Sequence, residues 1–293
     1  MSQSHYKRKK PKIWLMGSLA SLSLTFISYP SQAFVPYIYE PSNKDLKNTS
    51  IALGKTAAQL LHFGQIKEAS RLAKLSIKLN PQDERLWQIL AETQVRTNLL
   101  GDAITSLGKA KEINPRNANL WFAEGSLYLQ QKKPDKGIPL IEKGLKIDPK
   151  NANAYFQLGN ARIMQSKSKL ALKAFKNASN LKPKFWQAIN NQGLVLFEMG
   201  KIKEAIMIWR NVLNLEKNSE PMLALAAALN ELKQNNEESL ALAKKALAEN
   251  PKYVSTQHQE DQLWGYKLQE ATKKLFNVPD LKYDVERALE NSN

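Results

Sequence analysis

The chain has 293 residues, of which 43% are hydrophobic, with a formal net charge of +16 and no cysteine. The absence of cysteine excludes disulfides, thiolate metal ligands and thiol catalysis. The excess of lysine and arginine predicts a basic surface, and such a surface attracts nucleic acid, an anionic membrane or an acidic protein.

The N-terminal segment has the three parts of a secretory signal peptide. Basic residues at Lys7–Lys12 precede an uncharged run from Ile13 to Tyr29, and Ser31 and Ala33 supply a small-x-small site. This pattern predicts that residues 1–33 are a signal peptide cleaved between Ala33 and Phe34. The apolar run is short for a membrane span, which needs about 20 residues. An uncleaved N-terminal anchor and a buried core helix are the alternatives. Cleaved or anchored, the segment predicts export of the rest of the chain.

Residues 34–49 form a short connection to the next part of the chain. They hold two prolines, three aromatic side chains and little periodicity. We interpret them as an extended lead-in that packs on the element that follows. A flexible mature N-terminus is the alternative.

Proline recurs at a fixed interval in the middle of the chain. Pro81, Pro115, Pro149 and Pro183 are evenly spaced, and Pro251 follows at twice that interval. A period of about 34 residues is typical of a solenoid of helix-turn-helix repeats, in which each repeat is too small to bury its apolar face alone. The repeats are predicted as the blocks 50–83, 84–117, 118–151, 152–185, 186–219 and 220–253.

The blocks share residue sizes at fixed positions. Each has a large apolar fourth residue, namely Leu53, Trp87, Trp121, Tyr155, Ile189 and Leu223. The eighth and twentieth residues are small, as in Gly125 with Gly137. Because these two positions fall on different helices of a pair, they mark where the helices approach closely. The proline near the end of a block stops the second helix. The sequence therefore predicts an all-α fold of six stacked helix pairs.

This pattern resembles the tetratricopeptide repeat family over residues 50–253. The third and fourth blocks carry most of the family motif, in Trp121, Gly125, Tyr128 and Pro149, and then in Tyr155, Leu158, Gly159, Ala171, Phe175, Ala178 and Pro183. The chain departs from the motif at Leu53, Gly137 and Lys217. The resemblance implies an α-α superhelix that holds a protein or peptide partner.

In that family the first helix of each pair lines the concave face. Carried over to the middle of the array, the family's groove positions are Asn119, Phe122, Ser126, Asn153, Phe156, Gln157, Asn160, Gln187, Asn190, Asn191 and Leu194. Amide side chains both donate and accept hydrogen bonds, so this strip is expected to bind an extended peptide backbone, while the phenylalanines add apolar contact. A solvated face that binds nothing tightly is the alternative.

Residues 254–293 leave the repeat pattern. One apolar face recurs at helix spacing, formed by Trp264, Leu268, Ala271 and Leu275. Pro279 ends this helix, and Leu281, Val285 and Leu289 indicate a last short helix. We interpret these elements as C-terminal capping helices for the open end of the solenoid. A separate binding element is the alternative.

The chain holds little material for catalysis. His62 and His258 lie far apart, and the sequence contains no glycine-rich phosphate loop and no metalloprotease motif. Asp102, Asp135 and Glu204 begin predicted second helices, where an acid favours the helix dipole. The chain is therefore predicted not to be an enzyme and to need no cofactor or metal.

Lysine is concentrated on the predicted second helices and the joins between blocks. The set is Lys74, Lys78, Lys109, Lys111, Lys143, Lys146, Lys167, Lys169, Lys173, Lys176, Lys182, Lys184, Lys201 and Lys203. A basic convex face makes a peripheral membrane or envelope protein on anionic lipid the alternative function. A solubilising lysine shell explains the same pattern without a partner. Nucleic acid is not expected, because export separates the chain from it and no recognition motif is present.

The signal segment, the six repeats and the segment from Leu263 to Leu281 together look like exported tetratricopeptide proteins of cyanobacteria and of thylakoids. Members of that group are associated with the biogenesis of photosynthetic membrane complexes. The resemblance implies a non-catalytic scaffold or assembly factor in a periplasm or thylakoid lumen, or one anchored there by its N-terminus.

Overall fold

The computed structural model describes residues 40–234 and 236–292. The predicted signal peptide 1–33, its cleavage between Ala33 and Phe34, and the first part of the predicted lead-in fall outside these residues. In the described part every regular element is a helix, and consecutive helices pack on one another as pairs. The predictions of an all-α fold and of an α-α superhelix are confirmed.

The superhelix is built from two sets of helices that alternate along the chain. The first helices of the pairs are α1 (Asn43–His62), α3 (Glu84–Arg96), α5 (Ala118–Gln130), α7 (Ala152–Met164), α9 (Trp186–Glu198) and α11 (Ser219–Glu231). The second helices are α2 (Ile66–Leu79), α4 (Leu100–Ile113), α6 (Pro134–Ile147), α8 (Ser168–Leu181), α10 (Ile202–Leu215) and α12 (Asn236–Glu249). From α3 to α9, each first helix starts on the first residue of a predicted block.

The remaining chain forms short helices. A 3-10 turn (Pro251–Val254) leads to α13 (Thr256–Asp261) and α14 (Tyr266–Phe276), and a second 3-10 turn (Pro279–Leu281) leads to α15 (Lys282–Asn291). Among the described helices none is both long and apolar enough to cross a bilayer.

Side-chain caps fix where most first helices begin. Asp83, Asn117, Asn151 and Asn218 precede α3, α5, α7 and α11, and each side chain accepts a hydrogen bond from a backbone N–H in the first turn. These N–H groups have no acceptor within the helix, so a short polar side chain at this position stabilises the helix start. The predicted boundaries between blocks therefore coincide with helix starts, and the capping side chain favours each start.

Helix α1 begins earlier than the sequence indicated. Its first residue is Asn43, so the last seven residues of the segment 34–49 are helical rather than extended. The cause is a capping box, in which the Ser42 hydroxyl accepts from the Asp45 N–H and the Asp45 carboxylate accepts from the Ser42 N–H. The repeat period carries no information about this start, because it lies in front of the first block.

Small residues permit the two helices of a pair to cross closely. A Cβ atom added to Gly125 would lie 2.7 Å from Cγ1 of Ile141 and 3.1 Å from the carbonyl oxygen of Gly137. A Cβ added to Gly137 would lie 2.8 Å from the carbonyl oxygen of Gly125. These are positions eight and twenty of the third block, so the helices α5 and α6 cross where the small residues were predicted to mark the crossing.

Tryptophan at the fourth position of a block joins neighbouring repeats. The indole Nε1 of Trp87 donates to the carbonyl oxygen of Pro81 at 2.9 Å, and Trp121 donates to Pro115 in the same way at 2.9 Å. Each proline ends one repeat and each tryptophan opens the next, so the hydrogen bond fixes the junction between them. The same ring also packs as a large apolar residue, which explains its preference at this position.

The C-terminal helices do not add another pair to the superhelix. Helix α14 packs on α11 and α9, which are first helices, whereas α15 packs on the second helix α12. Leu268, Ala271 and Leu275 are buried in this contact, and Trp264 is buried just before the helix starts. Leu289 of α15 is 54% exposed and does not belong to the buried face. The end of the chain thus covers both the last second helix and part of the inner surface.

Candidate peptide-binding groove

The first helices of neighbouring pairs contact one another. Direct packing joins α1 to α3, α5 to α7 and α9 to α11. A shared cavity lies between α3 and α5, and a hydrogen bond from Asn191 to Asn160 joins α9 to α7. The first helices therefore form one surface, called here the inner groove. The second helices lie on the other side of each pair. This arrangement places the strip predicted from the tetratricopeptide resemblance on one side of the molecule.

Part of the predicted strip is available to a partner. Asn119 and Asn153 are exposed, and Ser126, Gln157, Asn160 and Gln187 are half-buried. These six side chains come from three successive first helices, α5, α7 and α9. The structure therefore brings together an amide-rich surface of the kind that the sequence predicted.

The two phenylalanines of the strip lie elsewhere. Phe122 is 7% exposed, and its ring fills the space beside Gly144 of α6. Phe156 packs between Phe175 and Phe185, with ring centroids 5.8 Å and 5.1 Å away. In contrast to the sequence prediction, these rings hold pairs of helices together. The physical reason is the small residue opposite Phe122, which leaves room for a ring between the helices.

Asn190, Asn191 and Leu194 of α9 are also buried, and two of them belong to a chain of hydrogen bonds. Asn191 Nδ2 donates to Asn160 Oδ1 at 3.0 Å, and Asn190 Nδ2 donates to Asn191 Oδ1 at 3.3 Å. The Asn190 side chain also bonds the carboxyl of Glu220 on α11. These amides are bonded to other protein groups, although Oδ1 of Asn190 has no hydrogen-bond partner within the described residues. They therefore differ from the expectation that they face a peptide.

Glu220 connects this chain of amides to the C-terminal segment. The indole Nε1 of Trp264 donates to Oε1 of Glu220 at 3.1 Å. Burial raises the pKa of Glu220 to about 7, against the lowering effect of the hydrogen bonds from Trp264 and Asn190. A protonated carboxyl still accepts the indole bond through its carbonyl oxygen, so the contact does not need the charge.

The C-terminal segment closes the inner groove over α9 and α11. Its loop before α14 and the start of that helix are held by Glu198 of α9, whose carboxylate accepts from the backbone N–H of Lys267 at 3.3 Å and of Leu268 at 3.0 Å. A Cβ on Gly265 would overlap the same Glu198 side chain, so a larger residue there would displace this carboxylate. The inner surface of the last two repeats is thus occupied by the chain itself.

Two of the cavities among the described residues lie along α3, α5 and α7. The first, of about 310 Å³, lies between α3 and α5 and is lined by Gln88, Ala91, Glu92, Val95, Leu107, Asn119, Leu120, Ala123 and Leu127. The second, of about 300 Å³, lies between α5, α7 and the loop before α14 and is lined by Ser126, Leu129, Gln130, Gln157, Asn160, Met164, Asp261 and Leu263. One cavity is mainly aliphatic and the other combines amides with aliphatic side chains.

Several lining residues were missed by the sequence analysis. Gln88 and Val95 occupy positions five and twelve of the second block, so the register used for the middle blocks would have found them if extended by one repeat. Asp261 and Leu263 belong to the C-terminal segment, and no repeat register points to them. Their position depends on a contact between distant parts of the chain.

The charges around the open groove are largely paired. Glu92 forms an ion pair with Arg96 at 3.0 Å, and Arg162 forms one with Glu142 at 2.7 Å. Asp261 lies 3.9 Å from Lys132. Within residues 40–234 and 236–292 no cluster of three or more histidine or acidic side chains is arranged to hold a metal ion. The surface offered to a partner is therefore made of amides and aliphatic groups.

Comparison with known proteins identifies the fold. Residues 118–151 and 140–173 match the tetratricopeptide repeat. A comparison with curated proteins gave no match. This repeat is a protein-binding scaffold without catalytic machinery, which confirms the prediction that the chain is not an enzyme.

Solved structures with the same architecture cover most of the array. PilF of Pseudomonas aeruginosa is 15% identical with a TM-score of 0.61, over 78% of this chain and 99% of that one. PilW, described as a widely conserved type IV pilus biogenesis factor, is 18% identical with a TM-score of 0.59, over 75% and 97%. YrrB, described as a repeat protein with an unusual peptide-binding site, is 16% identical with a TM-score of 0.52, over 64% and 93%. Identities this low show a shared fold.

Proposed function

We propose that this tetratricopeptide-type array is a non-catalytic scaffold that holds a segment of a partner protein in the open inner groove of α3, α5 and α7. The observation that carries the proposal is the pair of cavities along these three helices, at the side of the superhelix where the amides collect. Each cavity is large enough for an apolar side chain, and both are bordered by groups that bond a peptide backbone.

The chemistry of the lining favours an uncharged, extended segment. Gln88 and Asn119 border the aliphatic cavity between α3 and α5, where they can bond main-chain N–H and C=O groups on either side of an inserted side chain. In α7, the buried Oε1 of Gln157 has no hydrogen-bond partner within the described residues. Because Gln157 lines the second cavity, a donor from the bound segment would satisfy this oxygen once the side chain turns toward the cavity. Specificity then comes from the cavities and affinity from the backbone bonds.

The biological role we propose is assembly of a membrane-associated complex. The fold likeness to PilW, a pilus biogenesis factor, and to YrrB, a protein with a peptide-binding site, supports a holding role rather than a catalytic one. The predicted signal segment supports a location in a periplasm or thylakoid lumen. The resemblance to exported cyanobacterial and thylakoid proteins makes subunits of photosynthetic membrane complexes the specific candidate clients.

The test is site-specific photocrosslinking in native membranes. A photoreactive residue replaces Ala123, which is exposed at the α3–α5 cavity, and a matched one replaces Asn211, which is exposed on the second helix α10. A partner crosslinked from Ala123, resistant to high salt and lost in Gln88→Ala with Asn119→Ala, supports groove binding. Equal crosslinking from Asn211, or no loss in the double variant, would show that the groove is not the site.

The same preparation tests location and role. An N-terminal sequence that starts at Phe34 would establish export with cleavage, and an intact Met1 would establish an anchored form. A captured subunit of a membrane complex supports the assembly role. A captured enzyme that copurifies in fixed ratio would instead make the chain an adaptor subunit.

A further inference from the structure

One second helix, α8, differs from the other five in having no acidic residue. Helix α8 and its two flanks carry exposed lysines at Lys167, Lys169, Lys173, Lys176, Lys182 and Lys184. From Pro149 to Phe197 the sequence contains no aspartate or glutamate. None of the six lysines forms an ion pair within the described residues, although Lys182 Nζ lies 4.9 Å from the ring centroid of Phe185. The positive charge on this face is therefore not neutralised by the protein.

Comparison between the repeats shows that the difference is local. Position nineteen of a block holds an acid in four repeats, at Glu68, Asp102, Glu204 and Glu238. In α8 this position is Leu170, which is 47% exposed. The other second helices all have an acid in the first turn, and α8 has none. At the position where four other second helices have an acid that stabilises the helix start, α8 has an exposed aliphatic side chain.

The spacing of the lysines also lowers the stability of helix α8. Lys169, Lys173 and Lys176 lie one turn apart on the same exposed face, and like charges at this spacing destabilise a helix. Helix α2 has basic residues at a similar spacing, but its first turn contains Glu68, whereas the basic face of α8 has no acid beside it. An anionic partner would reverse the cost, because it would neutralise the lysines and cover Leu170.

We propose that the outer face of α8, formed by Lys169, Leu170, Lys173 and Lys176, binds the surface of an anionic lipid membrane. The six lysines of α8 and its two flanks fall within the four to eight basic residues that are typical of such attachment. The lysine stems can lie along the apolar boundary while their ammonium groups meet lipid phosphates, and Leu170 and Leu181 enter between them. This inference does not depend on the proposed function, because α8 lies on the side of the pair opposite to the groove helix α7.

The composition of the face favours lipid over other anionic partners. Its charges are all lysines, whereas bidentate recognition of nucleic acid or of carboxylates prefers arginine. The aromatic ring of α8, Phe175, is fully buried, so the face presents no ring on which a base could stack. The half-exposed Leu170 and Leu181 have a natural environment at a lipid interface.

The experiment uses the full chain with vesicles of phosphatidylcholine alone or with about one third phosphatidylglycerol. The test variant carries Lys169→Gln, Lys173→Gln and Lys176→Gln. The matched control carries Lys67→Gln, Lys74→Gln and Lys78→Gln on α2, which removes the same charge from another exposed second helix. We expect the α8 variant to bind the anionic vesicles on the order of 100-fold more weakly and the control to bind nearly as the parent does.

A local readout separates this face from the N-terminal segment, which could attach to vesicles by itself. Brief lysine acetylation followed by mass spectrometry should show protection of Lys169, Lys173 and Lys176 by anionic vesicles and none of Lys67 or Lys74. Leu170→Glu, which introduces the acid found at this position in four other repeats, should weaken binding without lowering the thermal stability. Equal losses in both triple variants, or no protection on α8, would overturn the proposal. Binding to single-stranded DNA or polyglutamate as strong as to anionic vesicles, lost in the same variant, would overturn the assignment to lipid.

Discussion

The indole of Trp264 donates a hydrogen bond of 3.1 Å to the carboxyl of Glu220, which lies 44 residues earlier in the chain and is 9% exposed as a residue. This bond joins the C-terminal segment to the inner surface of the last repeat. Asn190 bonds the same carboxyl from α9, so three distant parts of the chain meet at one buried group. Whether the Glu220 carboxyl is protonated or charged therefore affects the stability of the contact between the C-terminal segment and the last repeat.

The titration of Glu220 gives the first prediction. Its pKa in the folded protein is about 7, raised from 4.5 by burial. Because the folded state holds the proton more tightly, the group stabilises the fold fully below pH 4.5, and this contribution is lost as the pH rises through 7. We expect Glu220→Gln to raise the free energy of unfolding at pH 8 by on the order of 3 kcal/mol, with little effect at pH 4.5.

Urea unfolding of both proteins across this pH range checks the prediction. Exposed Glu216 on the join after α10 provides the control, because Glu216→Gln removes a charge of the same kind outside the buried contact. A Glu220→Gln protein with an unchanged pH profile would show that this carboxyl does not titrate as inferred.

The second prediction concerns the crossing of α5 and α6. Gly125→Ala places a methyl group 2.7 Å from Ile141 and 3.1 Å from a backbone oxygen, so the two helices must separate. We expect a loss of about 1–3 kcal/mol in the free energy of unfolding. Gly108→Ala in α4 is the matched control, since no atom lies within 4 Å of the added methyl. That variant should gain about 0.5–1 kcal/mol from better helix propensity, and a loss there would contradict the packing argument.

The third prediction concerns Glu198 as a cap for α14. Its carboxylate accepts the backbone N–H groups of Lys267 and Leu268, and Gly265 at the helix start supplies no side-chain cap of its own. We expect Glu198→Ala to lower the stability by about 1 kcal/mol, as loss of an N-terminal cap does. Hydrogen exchange should rise at the first amides of α14 and stay unchanged in α5. Unchanged exchange in α14 would mean that the helix start is held by packing alone.

The fourth prediction separates packing from binding at Phe156. The ring lies between Phe175 and Phe185, so Phe156→Ala should lower the free energy of unfolding by about 2–4 kcal/mol. Asn153→Ala, in the same helix but exposed, should change it by less than about 0.5 kcal/mol. Thermal or urea unfolding measures both. If Phe156→Ala were as stable as the parent and impaired only partner binding, the ring would belong to the groove after all.

Much of the fold could be predicted because the same residue pattern recurs in every repeat, so each copy supports the interpretation of the others. The size pattern at Gly125 and Gly137 recurs in every block, and it fixed the helix pairs and the place where they cross. Nothing comparable exists for the end of the chain. Leu268 and Leu275 showed that α14 has an apolar face, but amphipathicity does not say which surface covers it.

The groove was predicted less well, because the repeat pattern does not reveal contacts between distant parts of the chain. Asn160 and Asn191 are both predicted groove positions, yet Asn160 borders an open cavity and Asn191 is buried. The position of a residue within its repeat predicts only that it lies on the inner surface. Whether that surface is open depends on a contact between distant parts of the chain, in which the Lys267 ammonium donates to the carbonyl oxygen of Glu198.

The inward fold of the C-terminal segment also sets the shape of what the groove can hold. A segment that enters beside α3 and runs along α5 and α7 meets Asp261 and Leu263 at the second cavity. Beyond that point α14 packs on α9 and α11, so the path along the first helices is obstructed at one end. The proposed scaffold is therefore suited to a short extended segment, and a longer strand would have to turn away at Leu263.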